Sequence, residues 1–135
     1  MILIDTTVWI DFFRGTDSPE KRTLEHLLQK GTMVAITDII LTEILRGIPH
    51  DKEYQMVKRQ LNSFPCLTAK APRTFVHAAD LYRRCRKKGV TIRSTVDCLI
   101  AAVCLEHETA LLHHDSDFTQ LAKHTGLKIA KVDAA

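Results

Sequence analysis

Five of the sixteen acidic residues fall where a folded chain could gather them. Asp5 ends the short apolar run Ile2-Leu3-Ile4. Glu43 sits in the apolar segment Thr37 to Arg46, between Thr42 and Ile44. Asp97 lies three residues after Ser94, at the start of a nearly apolar stretch. Asp115 follows Ala110-Leu111-Leu112 a few residues late, and Asp117 comes next at a helix start. Each has a plain structural role open to it. Asp5 could cap a helix beginning near Thr7, and Asp97 with Ser94 matches a capping box in which Asp replaces Glu. Asp115 or Asp117 could cap the helix containing Phe118 and Leu121, and Glu43 could be a solvated helix charge. A capping carboxylate can still hold a metal. Gathered without compensation, such carboxylates repel by on the order of several kcal/mol at an intermediate dielectric, so a cation must stand among them. Oxygen ligands without Cys or His select Mg²⁺ or Mn²⁺ over Zn²⁺. That chemistry suits phosphoryl transfer, where the ion acidifies and orients a water and offsets charge on the phosphate oxygens.

The elements that would position these acids follow from apolar spacing and caps. Ile2–Ile4, Met33–Ile36, Ala110–Leu112 and Ile129–Val132 read as short strands, with Cys66–Thr68 a weaker one. Thr7 to Phe13 reads as a short helix stopped by Gly15. Ser18-Pro19-Glu20 opens a second helix, with Leu24, Leu27 and Leu28 on its apolar face. Thr37 caps a third helix, with Ile40, Leu41, Ile44, Leu45 and Ile48 inward, and Asp51 to Leu61 forms a fourth. Pro72 starts a long helix whose apolar face is expected to be Phe75, Ala78, Ala79, Tyr82 and Cys85. Ser94 opens another to about Leu105, apolar nearly all round and so expected at the centre, and Ser116 to Lys123 forms the last. Continuously apolar strands separated by helices indicate a parallel sheet covered on both faces, hence a three-layer α/β/α domain. Ligands of such sheets collect beyond the carboxyl ends of the strands, at a topological switch point. If the first and fourth strands are neighbours, Asp5 and Asp115 face each other there.

The 135 residues suit a single domain, 1–135, with 45% hydrophobic and 26% charged residues arguing against disorder. The longest apolar run, Cys98 to Leu105, is too short for a membrane span, and Met1 to Asp5 shows no secretory signal. These features predict a soluble, cytoplasmic protein. Cys66, Cys85, Cys98 and Cys104 form no CxxC pair and read as free thiols of a reducing compartment. The seven histidines lack zinc-ligand spacing. Trp9 reads as core.

In this order and spacing, Asp5-Thr6-Thr7-Val8-Trp9-Ile10, Glu43, Arg93-Ser94-Thr95-Val96-Asp97 and Asp115-Ser116-Asp117-Phe118 resemble the acidic motifs of PIN-domain ribonucleases. More narrowly they resemble VapC-type toxins of bacterial toxin–antitoxin pairs, over the whole chain. The resemblance implies a PIN-like five-stranded parallel sheet, a homodimer, and Mg²⁺- or Mn²⁺-dependent endonucleolytic cleavage of RNA, with tRNA or rRNA the usual target. It implies that Asp5, Glu43, Asp97 and Asp115 are the acidic quartet and that Asp117 supports the ion. Thr6 would position Asp5 or a metal-bound water. Where many members carry Thr or Ser before the fourth acid, this chain has His113 and His114. These read as strand-end residues with ordinary hydrogen bonds, or as an acid or ligand.

Net charge is only +3, but five acids confined to one pocket would leave the remaining surface with an excess of eight positive charges. Arg83, Arg84, Arg86, Lys87, Lys88 and Arg93 concentrate that excess just before Asp97. They stabilise a helix C-terminus, or lead an RNA backbone toward the acids. Arg46 is a further rim candidate. The resemblance also implies an antitoxin partner, whose Arg or Lys would enter the acidic pocket while apolar surface receives its helix. A receiver-like phosphoryl regulator would need an Asp near Cys66 to Ala69, where none exists. A haloacid-dehalogenase-like phosphatase would need Asp-x-Asp where Asp5-Thr6-Thr7 stands. A PIN-like module without catalysis, binding RNA or protein, remains the alternative.

Overall fold

The strand and helix boundaries follow from local chemistry. In the computed structural model, which describes residues 1–133, β1 is Ile2–Ile4 and runs without a loop into α1, Thr6–Arg14. Residues 134 and 135, the end of the expected domain, lie outside the described chain. Gly15 stops α1 in the left-handed conformation (φ 71°), which only glycine adopts cheaply. Helix α2, Pro19–Gln29, begins as expected, with Ser18 accepting from the Lys21 N–H and proline in the first turn. Strand β2, Val34–Thr37, passes into α3, Asp38–Arg46, and Thr37 Oγ1 accepts from the Ile40 N–H at 3.0 Å. Helix α4 spans Asp51–Leu61, β3 Cys66–Leu67, α5 Arg73–Lys87, α6 Thr95–Glu106, β4 Ala110–Leu112 and α7 Ser116–Thr125.

All sheet pairings are parallel, in the order β3-β2-β1-β4. The chain leaves β1 toward β2 and β3, then returns across it to β4. The switch point therefore falls between β1 and β4, whose pairs are Ile2–Ala110, Leu3–Leu111 and Ile4–Leu112. Sheet and helices enclose one core that includes Leu3, Ile4, Ile36, Ile100, Leu111 and Phe118. Helix α6 is central as expected: Cys98 and the run Ile100 to Cys104 are buried on several sides of it. Trp9 is fully buried, stacked on Phe13 with centroids 5.9 Å apart and tilted against Phe64 at 5.1 Å. Cys85, Cys98 and Cys104 are buried free thiols, and Cys66 is exposed. Among the described residues, no helix is long and apolar enough to cross a membrane.

Two expectations are corrected. The fifth strand is reduced to one bridge, Leu111 to Ile129. Past Ala130 the chain turns from the sheet edge toward α2, where the Asp133 N–H donates to Thr23 Oγ1 and its carboxylate meets the His26 ring. The inward face of α5 is Thr74, Ala78, Leu81 and Cys85, while Phe75, Ala79 and Tyr82 are exposed. Both stripes fit a 3–4 spacing. Contacts with α6 and α7 select the one that contains Thr74 and Leu81.

Candidate active site

Asp5 sits at the junction of sheet and helix. Its N–H donates to the Leu112 carbonyl at 3.0 Å, one residue beyond the last β1–β4 pair, and its own carbonyl accepts from Val8 and Trp9. Its side chain makes no cap bond to the backbone but accepts from Thr7 Oγ1 at 2.8 Å. Glu43, half-buried on α3, accepts from Thr6 Oγ1 at 2.7 Å. Adjacent hydroxyls thus hold Asp5 and Glu43 side by side.

Asp97 occupies the first turn of α6. Ser94 makes no side-chain cap bond, so the capping-box alternative for this pair is not realised. Asp115 does cap α7, with Oδ1 accepting from the Asp117 N–H at 2.9 Å, while its own N–H donates to His113 Nδ1 at 2.9 Å. Asp117 is buried, and its Oδ2 accepts from the Arg93 N–H at 3.1 Å.

These placements bring the five acids together. Asp97, Asp115 and Asp117 offer oxygens that lie within 4.8 Å of one another. Burial pushes Asp97 up to about 7, reinforced by the charges of Asp115, Asp5, Asp117 and Glu43, so it feels every other member. Burial pushes Asp5 up to about 6, with Glu43 adding to the rise and hydrogen bonds, chiefly from Thr7, opposing it. Among the described residues, one side-chain cation stands against the group. Arg93 Nε is 3.5 Å from Asp117 Oδ2, and its terminal nitrogen is 4.0 Å from Asp115 Oδ1.

The other expected residues are placed differently. The Thr6 hydroxyl bonds Glu43 rather than Asp5, because the first turn of α1 points it across to α3. Arg83, Arg84, Arg86, Lys87 and Lys88 are exposed along the end of α5 and just past it, and Arg46 is exposed at the end of α3. Arg83, Arg86 and Lys87 line a depression with Tyr82. Of the basic residues singled out, Arg93 alone reaches the acids among the described residues. His113 is buried, its ring nitrogen accepts a backbone N–H, and burial holds it below the usual histidine range. His114 Nε2 lies 3.3 Å from Asp11 Oδ2, which also accepts from Ser18 Oγ at 3.1 Å. One participant was not anticipated. Thr7 is signalled by a hydroxyl two residues after an Asp, a spacing that favours local bonding.

The donor set fits a hard cation. It is all oxygen, in excess negative charge, and includes a carboxyl that burial and its neighbours keep from ionising readily. Cys98 is next to Asp97 in sequence, but its thiol is buried and, among the described residues, is not one of the grouped ligand atoms.

Comparison with known proteins places this geometry. The PIN domain family matches residues 2–124. Ribonuclease VapC11 of Mycobacterium tuberculosis is 37% identical over 131 residues, covering 96% of this chain and 98% of that protein. Ribonuclease VapC51 of the same species is 30% identical over 124 residues, covering 92% and 87%. Among solved structures, a chain of VapBC2 from Rickettsia felis, bound to a DNA fragment from its promoter, superimposes with a TM-score of 0.76. It does so at 20% identity, covering 98% of this chain and all of that one. A chain of VapBC-1 from nontypeable Haemophilus influenzae gives 0.73 at 18% identity, covering 96% and 97%. A parallel sheet with carboxylates at its switch point, matched over nearly all its length at this identity, leaves one assignment: the chain belongs to the PIN domain family, among its VapC-type members.

Proposed function

We propose that the protein is a divalent-metal-dependent endoribonuclease, the toxin of a toxin–antitoxin pair, acting on tRNA or rRNA in the cytoplasm. The observation that carries this reading is the convergence of Asp5, Glu43, Asp97, Asp115 and Asp117, with Asp97 raised to about 7 by burial and by the other four. When bound, Mg²⁺ or Mn²⁺ would acidify a water and offset the charge growing on the phosphate oxygens. Asp5, Asp97 and Asp115 would hold the ion, and Asp117 would support it. Glu43, with Oε1 fixed by Thr6, would hold the ion or orient the attacking water. The water oxygen would bond to phosphorus as the opposite phosphorus–oxygen bond breaks in line, the water's proton passing to a carboxylate of the cluster and the leaving oxygen taking up a proton from solvent. The exposed bases Arg83, Arg84, Arg86, Lys87, Lys88 and Arg46 would track the RNA backbone, making affinity steeply salt-dependent.

The ribonuclease names of the relatives support the reaction, and the VapBC complexes support an antitoxin partner. Phe75, Val76 and Tyr82, left exposed on α5, support a protein contact, and we infer a homodimer. The test is incubation of total bacterial RNA with the purified protein in Mg²⁺, Mn²⁺ or EDTA, beside Asp5→Ala. Discrete fragments that vanish with EDTA and with the variant are expected, and their ends identify the target. A folded, antitoxin-free protein that cleaves nothing in either metal would overturn the reading.

A further inference from the structure

Arg93 holds a position that backbone tracking of RNA does not explain. Among the described residues, the exposed cations on α5 form no ion pair with the acids, whereas Arg93 is anchored among them. Its N–H is tied to Asp117 Oδ2 at 3.1 Å, which fixes the Cα beside the cluster, while its side chain stays 73% exposed. The guanidinium contacts are long: 3.5 Å to Asp117, 4.0 Å to Asp115 and 3.4 Å to the Ser116 hydroxyl. A bidentate fork on a carboxylate sits nearer 2.8 Å. The backbone is therefore held and the head is loosely held, which is the arrangement of a charge that can be exchanged.

We propose that Arg93 is the resident counter-charge of the acidic site. Its guanidinium partly neutralises Asp115 and Asp117 before an ion arrives, competes with that ion for them, and turns to the scissile phosphate once they are taken. This rests on the metal reading given above and adds to it a control. The site loads only where the free ion concentration overcomes the arginine, and the charge displaced in loading is delivered where phosphate charge develops. A residue that only gathered RNA would leave ion affinity untouched. A competing cation must weaken it, because removing Arg93 leaves five carboxylates with more repulsion for an ion to relieve.

The two cases separate in a titration of the full chain with Mn²⁺ alone, free ion being read by electron paramagnetic resonance. Thermal melting runs alongside to show that each variant is folded. Arg93→Gln is expected to bind Mn²⁺ about two- to fivefold more tightly, the span of an exposed ion pair, yet to cleave RNA more slowly at saturating Mn²⁺. Arg93→Lys, which keeps the charge, should retain near-native affinity. Arg22→Gln, which removes a remote cation paired with Asp17, should leave affinity unchanged. Unchanged or weaker Mn²⁺ binding by both Arg93 variants would overturn the proposal, as would equal tightening by Arg22→Gln. Full cleavage by Arg93→Gln at saturating ion would overturn the phosphate role. A native protein that binds no Mn²⁺ would instead remove the metal reading itself, and this proposal with it.

Discussion

Helix α6 carries a carboxylate at each end, and the two are treated in opposite ways. Asp97 stands in its first turn, where the helix dipole favours negative charge, and Glu106 ends it, where the dipole opposes negative charge. The dipole alone would lower Asp97 and raise Glu106. The reverse holds. Asp97 is pushed up to about 7 by burial and four neighbouring acids. Burial also works against Glu106, but hydrogen bonds from Thr74 at 2.7 Å and His77 at 2.9 Å, with the charges of His77 and Arg73, hold it below the usual range. Immediate partners outweigh the dipole at both ends. Glu106 is a satisfied structural acid, and the ionised form of Asp97 is disfavoured until a proton or a cation relieves it.

Neutralising each acid in turn separates the two ends most clearly. Asp97→Asn should reduce RNA cleavage on the order of a thousandfold while leaving the melting temperature unchanged or higher, since it removes repulsion. Glu106→Ala should cost about 1–3 kcal/mol in urea unfolding, by stripping buried Thr74 of its acceptor, and should leave Mn²⁺ affinity intact. If Glu106→Ala impaired ion binding, the two ends would not be independent.

The pH dependence should differ in sign between the ends. Asp5 and Asp97 hold protons more tightly when folded. The stability they contribute is full below the ordinary 3.8 and is lost as pH rises through about 6 and about 7. Glu106 is lowered, so its contribution is present above the ordinary 4.5 and is lost as pH falls. In EDTA, Asp97→Asn should flatten the decline in melting temperature between pH 5 and 8, and Glu106→Gln should flatten the acid limb. Mn²⁺ should restore stability at pH 8 in the native protein.

The smallest effect is expected at His113. His113→Phe removes the acceptor of the Asp115 N–H and should cost about 1 kcal/mol and weaken Mn²⁺ binding. His113→Asn, whose Oδ1 can take the place of Nδ1, should retain most of both. Equal losses in the two variants would show that the ring's packing against Phe118, with centroids 5.2 Å apart, matters more than its nitrogen.

Much of this was legible in the residues. Short continuously apolar runs are what a sheet buried on both faces requires, and an acid at the end of two of them is brought together once those strands pair. The caps at Ser18 and Thr37 were readable because an N-cap is a local event. What could not be read depends on partners distant in sequence. Phe75 and Tyr82 share a helical period with the truly buried Thr74 and Leu81, and only packing chooses between the stripes. Thr6 and Thr7 are equivalent in type, and the direction of α1 sends one to Glu43 and the other to Asp5. The last strand gives way past Ala130, where Asp133 is tied to α2 through its N–H and its carboxylate, partners that lie over a hundred residues away in sequence.

The absence of any loop between β1 and α1 has a consequence for how such a protein can diversify. Asp5 is at once the terminus of a sheet rung and the first residue of a helix, so an insertion on either side would move the carboxylate off the ladder. Folds that carry their chemistry on long loops can retune it by changing those loops. Here that route is closed at Asp5, and if the exposed flank of α5 tracks RNA as proposed, new target preferences would arise by recolouring that flank while the acidic centre stays as it is. Paralogues with different RNA targets should therefore differ in the region of Tyr82 to Lys88 and agree in the length of chain from Ile2 to Val8.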